Sequence, residues 1–241
     1  MNIIRKNIIY SKKSLKTLVQ HPSVSTFVSF FKYYPAWFSH LAENRNSVVD
    51  KMPWMAFEVI DYLKTITRKD MSVFEYGSGG STLFWASRVR ELVSVEHDRK
   101  WFDKMKTELA EQGLTNVKYI LSEADTEPDF VSKNIAVPAD YISSDPSFKG
   151  KSFKNYATQI DSYANNYFDI VIVDGRARPS CIQHAKDKVK INGFLIVDNT
   201  ERKHYLSQFA PDKKQWAIRT YMGPTPYSYH FSKTTVLQKK Y

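Results

Sequence analysis

Between Val73 and Asp98 the chain passes through an apolar segment that ends in an acid, a turn of small residues, and a second apolar segment that ends in another acid. The first segment, Val73-Phe74-Glu75-Tyr76, leads into Gly77-Ser78-Gly79-Gly80-Ser81-Thr82. Nineteen residues after Gly77, the run from Leu92 to Val95 ends in Glu96-His97-Asp98. That order predicts a strand, a tight turn, a helix and a second, parallel strand. Glycines in the turn let backbone approach a ligand with no Cβ in the way. An acid at the tip of the second strand can accept hydrogen bonds from both hydroxyls of a ribose. The pattern describes a nucleoside-binding α/β unit.

The turn also selects among nucleosides. A dinucleotide fold calls for a third small residue where Thr82 stands, and Glu75 would face a pyrophosphate, like charge against like. An acid there suits a cationic ligand without phosphates. S-adenosylmethionine, with a sulfonium and an ammonium, is such a ligand. At Glu75-x-Gly77-x-Gly79 and at Glu96 the chain resembles the class I S-adenosylmethionine-dependent methyltransferases. A wider run starts at Pro53-Trp54, passes through the turn and Val95-Glu96-His97-Asp98, and reaches Asp174-Gly175-Arg176. It is similar to an uncharacterised group of small bacterial-type methyltransferases, some of which sit among glycan-assembly enzymes. The resemblance covers roughly residues 52 to 238.

The fold it implies is α/β: a Rossmann-like, doubly wound, seven-stranded sheet with a C-terminal antiparallel strand hairpin. Periodicity supplies the elements. Strands are expected at Ser72 to Tyr76, Leu92 to Glu96, Val117 to Leu121, Asp169 to Val173 and Phe194 to Val197, with a closing pair at Trp216 to Tyr221 and Thr234 to Gln238. Helices are expected at Met52 to Leu63 (with Pro53 at its start), Ser81 to Arg88, Lys100 to Gln112 and Ser180 to Lys190. Asn192-Gly193 reads as a turn. Asp125 to Tyr167 is polar and aperiodic apart from a helix near Asn155 to Tyr163, and a segment so long is expected to fold over the cleft as a mobile lid.

Residues 1–50 read as a basic, aromatic N-terminal extension to a methyltransferase domain at 51–241. Leu15 to Val19 suggests a short helix ended by Pro22, and the aromatic run 24–38 is interrupted by Lys32 and Pro35. That run can pack on the domain or on a homodimer partner, or lie on a membrane surface as a peripheral contact. No apolar run reaches the roughly 18 residues of a membrane span. One cysteine, Cys181, excludes an internal disulfide and a thiolate zinc cluster, and a cytoplasmic protein is expected. The net charge of +10 attracts anions, nucleic acid among them, but the lysines are scattered and form no aromatic-lined groove.

Ligands of an open parallel sheet bind beyond the carboxyl ends of its strands. The resemblance assigns Glu75, Gly77 and Gly79, with Ser78 between them, to the methionine part of the cofactor. Ser81 and Thr82, at a helix start, are assigned to its carboxylate, Glu96 to the ribose, His97 to the adenosine, and Ser122 and Glu123 to the adenine side. Asp174, Asp198 and Asn199 resemble the magnesium triad of catechol-type O-methyltransferases, an all-oxygen set suited to Mg2+. That family's lysine base would stand where this chain has Ala177. Asp174 is then a metal ligand or a general base. Arg176 and Arg178 read as a rim for an anionic or hydroxyl-rich acceptor, and His204 as a candidate general base. O-methylation of a sugar, a glycan or another hydroxylated small molecule is the first expectation. An RNA or protein methyltransferase, an aminopropyltransferase and a non-catalytic interaction module are its rivals.

Overall fold

A computed structural model describes residues 2–209 and 211–241 of the chain, except for the side chain of Ser25. The order of elements is α1 (Ile3–Gln20), α2 (Val24–Ser39), α3 (Phe57–Ile66), β1 (Ser72–Tyr76), α4 (Gly80–Ala86), β2 (Glu91–Glu96), α5 (Arg99–Glu111) and β3 (Val117–Leu121). A two-residue antiparallel pair follows, β4 (Asp125–Thr126) with β5 (Lys151–Ser152), then α6 (Lys154–Ala157), β6 (Phe168–Val173), α7 (Arg178–Ala185), β7 (Val189–Val197), β8 (Trp216–Pro224) and β9 (Phe231–Lys239). Seven strands form one sheet in the order β3-β2-β1-β6-β7-β9-β8. The first five run parallel, and β9 inserts antiparallel between β7 and β8.

β1, β2 and β6 are buried along almost their whole length because both faces of the sheet are covered there, while the edge strand β3 is half-buried. On one face Val73, Leu92, Ile170, Ile172 and Ile196 pack with Trp85, Ile60 and Leu63. On the other, Phe74, Val93, Val171, Val173 and Leu195 pack with Tyr156, Cys181 and Ile182. Burying a residue of this kind contributes roughly 1.5–3 kcal/mol, so the alternation of faces fixes the register on both sides. Cys181 is buried, and its thiol is pushed far up by burial, in keeping with a packing role.

Three local expectations are corrected. The helix expected from Met52 starts only at Phe57, because residues 47–52 pass under the glycine turn: a Cβ on Gly80 would meet the carbonyl oxygens of Ser47 and Met52. The helix after β6 stops at Ala185, and Asn192-Gly193 is an irregularity inside β7 rather than a turn before it, with Asn192 at φ 65°. The N-terminal region is two long helices. Pro35 sits inside α2 without ending it. An internal proline costs about 3 kcal/mol. Trp37 offsets that loss: it is fully buried, and its Nε1 donates to Ser228 O at 3.0 Å.

Candidate cofactor and acceptor site

β1 and β2 end side by side, so the glycine turn and Glu96 meet at one edge of the sheet. Gly77 has φ 90°, and a Cβ on it would lie 2.9 Å from Gly175 Cα. Only glycine lets the β1 turn pass the tip of β6 so closely. Above these tips lies a cavity of about 540 Å³. Its floor is Gly77 to Ser81, Glu96 to Asp98 and Asp174 to Arg176; Trp54, Trp101 and Phe148 form its sides.

Glu96 is the electrostatic centre of the cavity. Its Oε2 accepts from the Ser78 amide (3.0 Å) and the Ser78 hydroxyl (2.7 Å), and its Oε1 from the amides of His97 (2.7 Å) and Asp98 (2.9 Å). Burial alone would raise its pKa. The neighbouring His97 imidazole and these donors outweigh burial and hold it at about 2. A chain of contacts continues outward. His97 Nδ1 lies 2.8 Å from Glu96 Oε1, and Arg176 Nε donates to His97 Nε2 at 3.2 Å. Arg176 then pairs with Asp145 at 3.0 Å and sits over the Phe148 ring. The long segment after β3 thus reaches the cavity through Asp145, Ser147 and Phe148.

Glu75 stands elsewhere. It is fully buried beneath the turn, where its Oε2 accepts from the hydroxyls of Thr82 (2.7 Å) and Ser94 (2.9 Å). The Thr82 hydroxyl in turn accepts from the Gly79 amide at 2.9 Å. Glu75 and Thr82 hold the turn from below, while Ser78, Gly79 and Ser81 face the cavity. Burial pushes the Glu75 pKa up to about 7 against three hydroxyl donors, and its Oε1 has no partner. Ser122 is tied by its amide to Glu96 O at 2.8 Å, and Glu123 pairs with Arg99 on the surface; neither lines the cavity.

A second cavity, of about 490 Å³, shares Trp54 and Asp174 with the first. Asp198, Asn199, Glu201 and Arg202 line one side, and Thr225, Ser228, His230 and Phe231 the other. His204 is outside both cavities, against Tyr205 in a small crevice behind Arg202, so it is not placed to act on an acceptor there. Arg176 lies in the first cavity and not the second.

Arg178 is not a rim residue. It is buried, donates to Gly175 O (3.0 Å), to Asp174 O (2.9 Å) and to the Asp198 carbonyl, and pairs with Asp174 Oδ1 at 2.9 Å. It locks the tips of β6 and β7 together. The Asp198 carboxylate accepts from the Thr234 hydroxyl; burial, then repulsion from Asp174, raises its pKa. Burial also raises the Asp174 pKa, although Arg178 opposes it. These residues do not fit a magnesium ion. A fixed guanidinium already neutralises Asp174, and a dication beside it would face like charge. Among the described residues no group of three histidine, cysteine or carboxylate side chains could hold a metal.

Sequence reasoning missed the side walls. Trp101 reads as a core position of α5 by its spacing to Met105 and Leu109, yet its Nε1 donates to Ser78 O at 2.9 Å and its ring faces the cavity. The signal available was its place in the first turn after the Glu96 tip. Ser147 and Phe148 lie in an aperiodic segment and carry no such signal.

No family model matches the chain, and no curated protein matches its sequence. Solved structures do match. An rRNA methylase from Streptococcus thermophilus aligns with TM-score 0.52 over 75% of this chain and 93% of its own, at 15% identity. The chain has the class I methyltransferase fold. A candidate methyltransferase from Streptococcus mutans, in complex with S-adenosylhomocysteine, aligns with TM-score 0.54 over 78% of this chain and 99% of its own, at 13% identity. The strand order of that fold, with β9 inserted antiparallel, is the one found here.

Proposed function

We propose that the protein is an S-adenosylmethionine-dependent methyltransferase that O-methylates a sugar or another hydroxyl-rich small acceptor. The observation that carries this reading is the pair of cavities joined at Trp54 and Asp174. The first has the glycine floor and the ionised Glu96 that an adenosine with a cationic tail requires. The second is polar and of a size for one or two sugar rings. Trp54, about half exposed, offers an aromatic face, and Asn199, Glu201, Arg202 and Ser228 offer hydrogen-bond partners around it.

S-adenosylmethionine, when bound, supplies the electrophilic methyl group. The chain's own part is alignment and proton transfer. Asp174 lies at the junction of the cavities, a quarter exposed and with a raised pKa, and is the group placed to take the acceptor's hydroxyl proton. Arg178 holds that carboxylate in position. The test is calorimetry with S-adenosylhomocysteine, which should bind in the micromolar range, about 8 kcal/mol. Transfer of labelled methyl to sugars and simple phenols should follow. No binding by the wild-type protein would overturn the cofactor reading.

An RNA acceptor is the second reading. The net charge of +10 and the rRNA methylase of the same fold favour it. It requires methyl transfer to bulk RNA and to no sugar. Against it, the second cavity is a pocket rather than an extended basic groove, and its Arg202 stands beside Glu201.

A further inference from the structure

α1 and α2 each carry two apolar faces. The inner faces are accounted for: Tyr10, Phe30, Tyr33 and Trp37 are buried in the core cluster that includes Phe231. The outer faces are not. On α1, Ile4, Ile8, Leu15 and Val19 fall within about 60° of one another at 100° per residue, on the side opposite Tyr10 and Thr17. On α2, Val24, Phe27, Val28 and Phe31 follow the i, i+3, i+4, i+7 pattern, opposite Phe30, Tyr33 and Trp37. All eight side chains are between about half and four-fifths exposed. The two helices are adjacent, joined by a three-residue connection, and Tyr10 donates to Phe30 O at 2.6 Å. Both helices turn their inner faces to the same core, so both outer stripes face away from it.

Charge identifies the occupant. Residues 2–42 hold six lysines and arginines and no acid. Arg5, Lys12 and Lys16 fall on the flank of the α1 stripe. Lys32, beside the α2 stripe, is taken by Asp61 of α3 at 3.2 Å. A second copy of the chain seated on this face would bring cations against cations with no acid on either helix to pair them. An anionic lipid surface supplies both complements, acyl chains for the stripes and headgroup charge for the flank. Among the described residues no helix is long and apolar enough to cross a membrane, so such a contact lies in the interface plane.

We infer that the outer face of the α1–α2 hairpin docks onto an anionic phospholipid bilayer. The experiment is co-sedimentation of the full chain with phosphatidylcholine vesicles, with and without phosphatidylglycerol. The wild-type chain should bind the anionic vesicles at least about tenfold more tightly than the neutral ones. Phe27→Ser/Phe31→Ser should weaken that binding about tenfold or more. Lys12→Glu/Lys16→Glu should do the same at low salt, with both variants melting as the wild type does. Failure of the wild type to bind would overturn the inference. So would full binding by the phenylalanine variant, which would make the attraction electrostatic alone. A wild-type dimer in sedimentation equilibrium that the phenylalanine variant dissociates would overturn it too, by assigning the face to a second copy.

Discussion

The Ser78 hydroxyl donates to Glu96 Oε2 at 2.7 Å, the oxygen that the proposed ribose contact would use. The Ser78 amide already fills a second site on the same oxygen, so a ligand must displace the side chain. Tyr119 OH, 2.6 Å from the Ser78 hydroxyl, is the partner left to it after displacement. Ser78→Ala should therefore bind S-adenosylhomocysteine as tightly as wild type, or up to about tenfold more tightly, a gain of about 1.4 kcal/mol. Calorimetry decides. A tenfold loss would mean that the hydroxyl is itself a ligand contact.

Glu96 and Glu75 predict opposite responses to pH. The Glu96 pKa is held at about 2, below the ordinary carboxylate value, so its ionised form adds stability in the native state. That contribution, about 3 kcal/mol at most, is present above about pH 4.5 and is lost as pH falls toward 2. Glu96→Ala should lower the melting temperature at pH 7 and reduce S-adenosylhomocysteine affinity at least tenfold, since each charge-assisted hydrogen bond is worth about 1.5–3 kcal/mol.

The Glu75 pKa is raised to about 7, so the native state prefers the protonated acid. Its stability contribution is fully present below about pH 4.5 and is lost as pH rises through 7, again about 3 kcal/mol. Glu75→Gln should flatten the decline of melting temperature between pH 5 and pH 8 by that amount. Parallel slopes for variant and wild type would show that other groups govern the range.

Adjacent glycines should separate folding from binding. A Cβ on Gly79 meets nothing closer than the Trp101 ring at 3.9 Å, whereas on Gly80 it would strike the Ser47 carbonyl oxygen. Gly79→Ala should fold normally and weaken S-adenosylhomocysteine binding, because the new methyl group projects at the cavity floor. Gly80→Ala should lose about 1–3 kcal/mol of stability. Equal melting temperatures for the two variants would contradict this contact pattern.

Arg178→Leu should cost about 3–5 kcal/mol, because it strands Asp174 and the carbonyl groups of Gly175 and Asp198 without their donor. Magnesium should not restore the melting temperature, since no metal replaces a five-donor guanidinium at these carbonyls. Recovery of stability with Mg2+ would reinstate the metal site that the wild-type geometry disfavours.

What was legible in the sequence follows from what periodicity encodes. β1 falls at the expected residues because a strand buried on both faces is mostly apolar, and β3, a half-buried edge strand, because Val117, Tyr119 and Leu121 alternate along it. Glu96 and Gly77 were legible because the chemistry of a tight turn restricts residue type. The inward placement of Glu75 was not: an acid one residue before a strand's end can point to either face, and only the Thr82 and Ser94 partners decide. Arg178 was misplaced for a similar reason. Its sequence neighbours do not reveal that three carbonyl groups converge on it. The two N-terminal helices were hidden by Pro35, a local breaker overruled by the burial of Trp37.

Trp37 ties the N-terminal hairpin to the wall of the second cavity. Its indole holds the carbonyl of Ser228, and Ser228 and Phe231 line the second cavity, with Tyr10 and Phe30 packed on the Phe231 ring. The first cavity is built from the sheet, the glycine turn and the loops beside them. The second borrows a wall braced by residues 10–37. A protein pared back to its sheet and flanking helices would keep the first cavity whole and leave the second without the brace behind one of its walls.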